Sequence, residues 1–564
     1  MLDFLGIKKN SKNGEEIAKE RQERFTNGHS NLLDIRKFVT LIILDGFGVF
    51  PDAEGNAVWA AKTPFLDTLW TQGRSTLLHA SGTHVGLPGE DAGNSEVGHL
   101  NIGSGQVVYQ TLPRINDAIK AHELENNPVV KQMFTFLRKY KGRLHLTGVL
   151  SPAGVHGHIK HLFSILDLCA SKGIDPCIHV MLDGRDTGPT EGLLYVEKLL
   201  AKIREVGVGE IGSIMGRFYG MDRDSRWERV KLAYDAFVGL SEETFTDPIK
   251  VVKDAYSRGE YDQFFKPRVR VNEKGEPVGV VKSHDAVLFW NFREDRAREL
   301  TKAFVLKDFP HFTRRNYPED IYFATMTGYE ENLPANVIFP PLRIKKPLAK
   351  YLSENGKRQL HVSETEKYMH VTYFFNGGYE EAHPGETFFN IPSQRVDSYA
   401  KVPEMSAYII RDEVVNKIKK IDTHPLDFIV LNFANPDMLG HSGNFKAAVK
   451  GNSIVDTCCA DIAKATIEMG GSLMVTADHG NCETMINRVT KEIDIAHTNN
   501  PVPLVIANSM KEIEPIAGTP QIKIGTGSNA RTTGILADIA PTVLGLLGMN
   551  TPSSMTGVDL RSML

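Results

Sequence analysis

The 564-residue chain is predicted to be an α/β protein: a doubly wound sheet domain with a second α/β domain inserted in it. Three observations carry this prediction. Short apolar runs without polar alternation recur along the chain, as in parallel strands buried on both faces. Segments of helical character separate them, the alternation expected of βαβ units. Polar clusters follow the runs, and ligands of open α/β sheets gather outside the carboxyl ends of strands. The length also exceeds what one ordinary core holds.

Composition narrows the class. Hydrophobic residues at 41% and charged residues at 24% match a soluble globular protein. A formal net charge of −4 gives no reason to expect nucleic acid or an anionic membrane as partner. The five cysteines (Cys169, Cys177, Cys458, Cys459, Cys482) show no CxxC spacing and cannot all pair internally, which reads as free thiols in a reducing compartment. No apolar run approaches the roughly 18–20 residues of a membrane span. The N-terminus lacks the apolar stretch of a signal peptide, so a cytoplasmic protein is expected. Residues 1–38 read as an N-terminal extension, either an accessory helix at about 14–24 or a mobile arm.

In chain order, Val39–Leu44 is the first apolar run and is closed by Asp45-Gly46. Thr63-Pro64 starts a helix with proline in its first turn. The stretch Gly93-Asn94-Ser95-Glu96-Val97-Gly98-His99 then places Ser95 ahead of a run that can begin a helix. Its hydroxyl would sit near the positive end of the helix dipole, where phosphate is favoured. From 110 to 341 the alternation continues as an inserted domain, with strands at Leu144–Val149, 178–182 and 286–290 and a helix at 159–171. Its polar clusters hold His156, then Arg185 and Asp186, then Arg217 and Arg223, then Arg293 and Arg296. A single arginine on a loop is usually solvated, but four such clusters suit a small substrate bearing phosphate and carboxylate, which guanidinium forks bind in a bidentate manner. The charged segment 255–282 reads as a surface excursion with a hairpin turn at 272–277.

From 342 the chain returns to the domain begun at 39–109. Residues 368–375 read as a strand with Lys367 just before it. Phe428–Phe433 is followed by Asp437 and His441, and Ser472–Thr476 by Asp478 and His479. His497 precedes a run at 502–506, whose Pro503 suits a strand start or edge. Asp45, Asp437, His441, Asp478, His479 and His497 thus supply three carboxylates and three imidazoles near strand ends. Mixed oxygen and nitrogen donors suit Mn²⁺, Zn²⁺ or Co²⁺ better than Mg²⁺. With a serine oxygen they suffice for a two-metal site, in which ions lower a hydroxyl pKa and stabilise a transferring group. A hydroxyl nucleophile, a two-metal cluster and an anion clamp together describe phosphoryl transfer through a phosphoserine. Water resolving that intermediate makes a phosphatase; return of the phosphoryl to a neighbouring hydroxyl makes a mutase, which needs water excluded.

These residues resemble the cofactor-independent phosphoglycerate mutases of the alkaline phosphatase superfamily. The resemblance rests on Asp45-Gly46, on the Ser95 stretch, on Pro403-Glu404-Met405-Ser406-Ala407 and on Asn435-Pro436-Asp437-Met438-Leu439-Gly440-His441-Ser442-Gly443. It extends to Asp538-Ile539-Ala540-Pro541-Thr542 and Met555-Thr556-Gly557 near the C-terminus. It implies an alkaline-phosphatase-like sheet domain that binds metal, with the inserted domain binding substrate. It implies interconversion of 3-phosphoglycerate and 2-phosphoglycerate without 2,3-bisphosphoglycerate, by a monomer that needs no nucleic acid or membrane. Two divalent ions are implied, Mn²⁺ above all, with Co²⁺, Zn²⁺ and Mg²⁺ as alternatives. By motif position Ser95 resembles the nucleophile. Asp437, His441 and His497 would hold one ion; Asp45, Ser95, Asp478 and His479 would hold the other. His156, Arg185, Asp186, Arg217, Arg223, Arg293 and Arg296 match substrate-binding positions, with Asp186 as the acid/base. Lys367 matches the lysine that neutralises charge near the phosphoryl group. The nearest rivals, a phosphopentomutase or a phosphatase of the same superfamily, have less need of the arginine clusters.

Overall fold

The computed structural model describes residues 35–340, 344–516, 522–528 and 530–564, so the expected helix at 14–24 lies outside the described residues. The chain divides into two compact units: one runs to Gln110 and resumes at Leu342, the other is Thr111–Pro341. The first unit begins with β1 (Val39–Leu44) and β2 (Arg74–His79). The second contains β3 (Leu144–Val149), β4 (Cys177–Leu182), β5 (Glu210–Gly216), β6 (Glu243–Phe245), β7 (Arg268–Arg270), β8 (Ala286–Phe289), β9 (Tyr322–Thr325) and β10 (Asn336–Val337). The first then resumes with β11 (Gln359–Glu364), β12 (Glu386–Ile391), β13 (Phe428–Phe433), β14 (Ser472–Thr476), β15 (Val502–Ala507) and β16 (Thr532–Ile535).

In the first unit the strand order is β12-β11-β13-β1-β14-β15-β2-β16. Strand β1 is the centre of this sheet, with every residue buried, and parallel neighbours on both sides. Val39 aligns with Phe428 of β13 and with Ser472 of β14. Because all three strands run the same way in this register, the loops after them emerge at one edge of the sheet. The second unit's order is β10-β9-β8-β3-β4-β5-β7-β6, parallel except where β7 meets β5. Its loops after β3, β4, β5 and β8 likewise share one edge. Pro503 is the second residue of β15, at the strand start, although β15 lies inside the sheet between β14 and β2.

Two expectations are corrected. Residues 368–375 are not a strand: His370–Phe374 form a π-helical turn, and the strand of this region is β11, just upstream. The run is rich in aromatic and β-branched residues, but those preferences describe a pleated, half-buried surface rather than the backbone itself. Here the backbone bonds locally, Asn376 N–H to Thr372 and Gly378 N–H to Tyr373. The segment 255–282 is also not merely a surface excursion. It holds β7 and the fully buried Asp262, which accepts from the Tyr256 hydroxyl and, at 2.7 Å, from Gly192 N–H. Its turn at 272–277 is present, with Val271 bridged to Pro277. The five cysteines are buried free thiols, and among the described residues no helix is long and apolar enough to cross a membrane.

The helix Pro64–Gln72 shows how distant segments complete one another. Proline sits at its first position, as expected, and its next two amides, Phe65 and Leu66, donate to the Asp456 carboxylate at 3.2 and 2.8 Å. Asp456 belongs to the helix Phe445–Glu468, far along the chain. Burial pushes its pKa up to about 6, against the pull of those two amides. A carboxyl raised above its ordinary value binds its proton more tightly in the folded state. Its stabilisation is therefore full below the ordinary carboxylate range and is lost as pH rises through about 6. Asp456→Asn, which never ionises, should accordingly gain on the native chain by about 2–3 kcal/mol between roughly pH 4 and pH 7. Urea titrations across that range check this; a difference independent of pH would contradict it.

Candidate active site

The three parallel strands β13, β1 and β14 deliver Asp437, Asp45 and Asp478 to one point. Asp45 and Asp478 are fully buried and Asp437 nearly so. Gly46 makes the close approach possible: it has φ +68°, and a Cβ there would press on the Asp437 backbone at 2.8 Å. Ser95 is the first residue of the helix Ser95–Ser104, whose preceding Asn94 accepts from Val97 N–H at 3.0 Å. The serine hydroxyl thus lies at a capped helix N-terminus, as the sequence indicated. It donates to Asp45 Oδ1 at 3.0 Å and lies 3.0 Å from His479 Nε2.

Lys367, in the turn Thr365–Lys367 after β11, is buried among these groups. Its ammonium donates to Asp45 Oδ1 at 2.6 Å, to Asp437 Oδ2 at 2.6 Å and to Ser95 Oγ at 2.7 Å. Burial opposes its charge, yet Asp45, Asp437 and Asp478 outweigh that and raise its pKa. Burial likewise opposes ionisation of Asp45 and Asp437, and Lys367 holds both well below the usual carboxylate range. His479, whose burial alone would lower it, is pushed up to about 9 by Asp478, Asp45 and Asp437.

His441 and His497 approach the same carboxylate, each with Nε2 at 3.3 Å from Asp437 Oδ1. The hydrogen bond to Asp437 raises the His441 pKa. The far nitrogen of each ring meets a backbone carbonyl, His441 Nδ1 to Ile495 at 2.9 Å and His497 Nδ1 to Gly93 at 2.8 Å. A carbonyl only accepts, so both Nδ1 atoms carry hydrogen and both Nε2 lone pairs face each other, 2.9 Å apart, beside a carboxylate. Only a cation, either a proton or a metal ion, satisfies that arrangement. Asp478 gives a second sign: Oδ1 accepts from Gly46 and His479 N–H, whereas the buried Oδ2 accepts no hydrogen bond. Three carboxylates against the Lys367 ammonium and the raised His479 imidazole still leave excess negative charge, and mixed imidazole and carboxylate donors suit divalent transition ions. The residues present therefore fit bound metal. Three groups bring their donor atoms within 4.8 Å of one another here: Asp437, His441 and His497; Asp45, Asp437 and His479; and Asp45, His99 and Asp478.

Sequence reasoning missed several contributors. His99 lies four residues after Ser95 on the same helix, with Nδ1 2.9 Å from Ser95 O and 3.1 Å from Asp478 Oδ2. That helical spacing was the available signal. Asn432 donates to Asp45 Oδ2 at 2.7 Å, and Asn481 to Asp437 Oδ1 at 3.0 Å. Nothing in the sequence marks an asparagine within or beyond an apolar run as a partner of a distant aspartate.

The second unit gathers most of its predicted residues at the edge beyond β3, β4, β5 and β8. Arg217 is buried, and its Nη1 donates to Asp183 Oδ1 and Asp186 Oδ2, each at 2.5 Å. His156 lies 3.4 Å from Asp295 Oδ1 and 4.0 Å from Asp186 Oδ2. Burial and the Arg217 guanidinium push it down to about 4, leaving it neutral near pH 7. Arg223 donates to Asp295 Oδ2 at 2.8 Å, Arg293 stands 3.6 Å from Asp295 Oδ1, and Arg296 donates to Met221 O. Arg296 is disfavoured as a cation by burial and then by Arg217, Arg223 and Arg185, a concentration of positive charge that an anion would relieve. Arg185 is tied here through its backbone N–H, which donates to Asp183 Oδ1 at 3.3 Å. Asp183 and Asp295 were not among the candidate residues; Asp183 lies two residues before Arg185, and Asp295 immediately precedes Arg296.

Comparison with known proteins agrees with this geometry. Residues 115–331 match the family model described as the BPG-independent PGAM N-terminus. A 2,3-bisphosphoglycerate-independent phosphoglycerate mutase of Clostridium beijerinckii is 45% identical over 528 residues, 93% of this chain and 99% of that protein. One from Methanococcoides burtonii is 44% identical over 525 residues, 92% of this chain and 98% of its own. The crystal structure of Leishmania mexicana phosphoglycerate mutase at low cobalt concentration superposes with a TM-score of 0.56 at 30% identity, covering 94% of this chain and 98% of that one. On these similarities the chain belongs to the family of 2,3-bisphosphoglycerate-independent phosphoglycerate mutases.

Proposed function

We propose that this chain interconverts 3-phosphoglycerate and 2-phosphoglycerate without 2,3-bisphosphoglycerate, carrying the phosphoryl group on Ser95. The observation that bears most weight is the set of bonds around Ser95 Oγ: Asp45 accepts its proton's hydrogen bond, His479 lies beside it, and Lys367 donates to it. Family membership points to the same reaction. Asp437, His441 and His497 are assigned to one divalent ion and Asp45, Ser95, Asp478 and His479 to another, with Mn²⁺ the ion expected. When bound, such ions supply Lewis-acid stabilisation of the charge on the transferring phosphoryl group.

The residues of the chain account for the remaining steps. Ser95 Oγ attacks phosphorus while its proton is directed at Asp45 Oδ1. The bond from phosphorus to the glycerate oxygen breaks, and that oxygen takes a proton from the acid assigned to Asp186. The neighbouring glycerate hydroxyl then gives its proton to Asp186 and attacks the phosphoserine; the bond from phosphorus to Ser95 Oγ breaks, and that oxygen takes back the proton left on Asp45. Lys367 stabilises the serine oxygen whenever it bears negative charge, and the helix N-terminus adds to this. His156, Arg185, Arg217, Arg223, Arg293 and Arg296 are assigned to the substrate's phosphate and carboxylate. A phosphomonoester carries about −1.5 to −2 near neutral pH, which suits so many cations. Holding the glycerate between the two transfers is what separates a mutase from a phosphatase.

A coupled assay with 3-phosphoglycerate, without 2,3-bisphosphoglycerate, should yield 2-phosphoglycerate with Mn²⁺ and none with EDTA. Free phosphate in place of 2-phosphoglycerate would make the protein a phosphatase. Ser95→Ala should keep the native circular dichroism spectrum while lowering turnover at least about 10⁴-fold, the scale seen when a nucleophile is removed. Substantial mutase turnover in that variant would exclude the covalent route.

A further inference from the structure

We infer that Glu483 is the positioning residue that fixes the spacing of the metal-binding loops, an inference that rests on reading the Asp45–Asp437–Asp478 cluster as a metal site. Glu483 is assigned to no ion, yet it is fully buried and accepts from donors on the three segments that carry Asp45, His479 and His497. Its Oε2 accepts from Gly48 N–H at 3.1 Å and from Asn481 N–H at 2.8 Å. Its Oε1 accepts from the Thr498 hydroxyl and from Asn500 Nδ2 at 2.9 Å.

Each donor stands close to a ligand candidate in sequence. Gly48 is in the loop that begins with Asp45. Asn481 follows Asp478 and His479, and its own side chain holds Asp437 at 3.0 Å. Thr498 adjoins His497. Backbone bonds continue the seam, with Cys482 N–H to Gly46 O at 3.2 Å, Thr498 N–H to Gly480 O at 3.0 Å and Val49 N–H to Pro501 O at 2.8 Å. The carboxyl group also dictates two small residues: a Cβ on Gly48 or on Gly480 would overlap Glu483. Neither glycine has a φ that requires glycine, so the requirement is space alone.

The arrangement needs a carboxylate in particular. All four partners donate, and a carboxylate offers two accepting oxygens and no hydrogen. Glutamine would turn an NH₂ group toward two donors. Residues that orient metal ligands from behind typically change metal affinity by about 10- to 100-fold when replaced.

The test is Mn²⁺ binding to the chelator-stripped full chain, measured by calorimetry on the native protein, Glu483→Gln and Thr498→Val. Thr498→Val removes one donor and keeps the rest of the seam, so it serves if Glu483→Gln does not fold. Circular dichroism and a urea midpoint in EDTA establish which variants are folded. Native Mn²⁺ binding, with each folded variant about 10-fold or more weaker and its mutase turnover restored by raised Mn²⁺, is the expected result. Folded variants that bind Mn²⁺ like the native chain would overturn the role of Glu483 while leaving the metal site standing. A native chain that binds no Mn²⁺ would overturn the metal site itself, and the inference with it.

Discussion

The structure of the first unit turns on one electrostatic constraint: three carboxylates, Asp45, Asp437 and Asp478, are buried side by side. Charge taken out of water is costly unless opposite charge and hydrogen bonds compensate it. The parallel register of β13, β1 and β14 makes the juxtaposition unavoidable once those strands pair. Everything around the point answers that constraint. Lys367 brings an ammonium, Asn432 and Asn481 bring amide donors, and Gly46 offers its N–H to Asp478. These still leave lone pairs on His441, His497 and Asp478 without a donor. A site that is unfinished in this way is arranged to take cations.

The same surroundings suit the serine to the nucleophilic role proposed for it. Ser95 Oγ would be an ordinary hydroxyl on a surface helix. Placed at a capped helix N-terminus, between Lys367 and Asp45, it meets positive charge that stabilises its oxygen and an acceptor for its hydrogen. The second unit follows the opposite plan. Asp183 and Asp186 hold Arg217 and Asp295 holds Arg223, so these two guanidinium groups are oriented by the chain's own carboxylates. Pre-set donors lose less side-chain freedom when they bind.

Much of this was legible in the sequence, for a physical reason. A central parallel strand is apolar throughout, so Val39–Leu44, Phe428–Phe433 and Ser472–Thr476 could be delimited from composition alone, and the acidic residues after them followed. The run at 368–375 misled because aromatic and β-branched content is shared by strands and by buried helical turns. Asp262 was missed because a buried acid in a charged segment looks like its exposed neighbours. Glu483, Asn432 and Asn481 act through contacts across long stretches of chain, which no local pattern records. His99 was visible only as part of a motif; its position relative to Ser95 becomes informative once the helix is known.

The central claim is that the phosphoryl group rests on Ser95 between donor and acceptor. The most direct measurement is mass spectrometry of the peptide containing Ser95 after rapid acid quench of the protein turning over 3-phosphoglycerate. The account predicts an added phosphate on Ser95 that disappears when substrate is exhausted and removed. Turnover with Ser95 unmodified at every quench time, or with the phosphate on another residue, would contradict it.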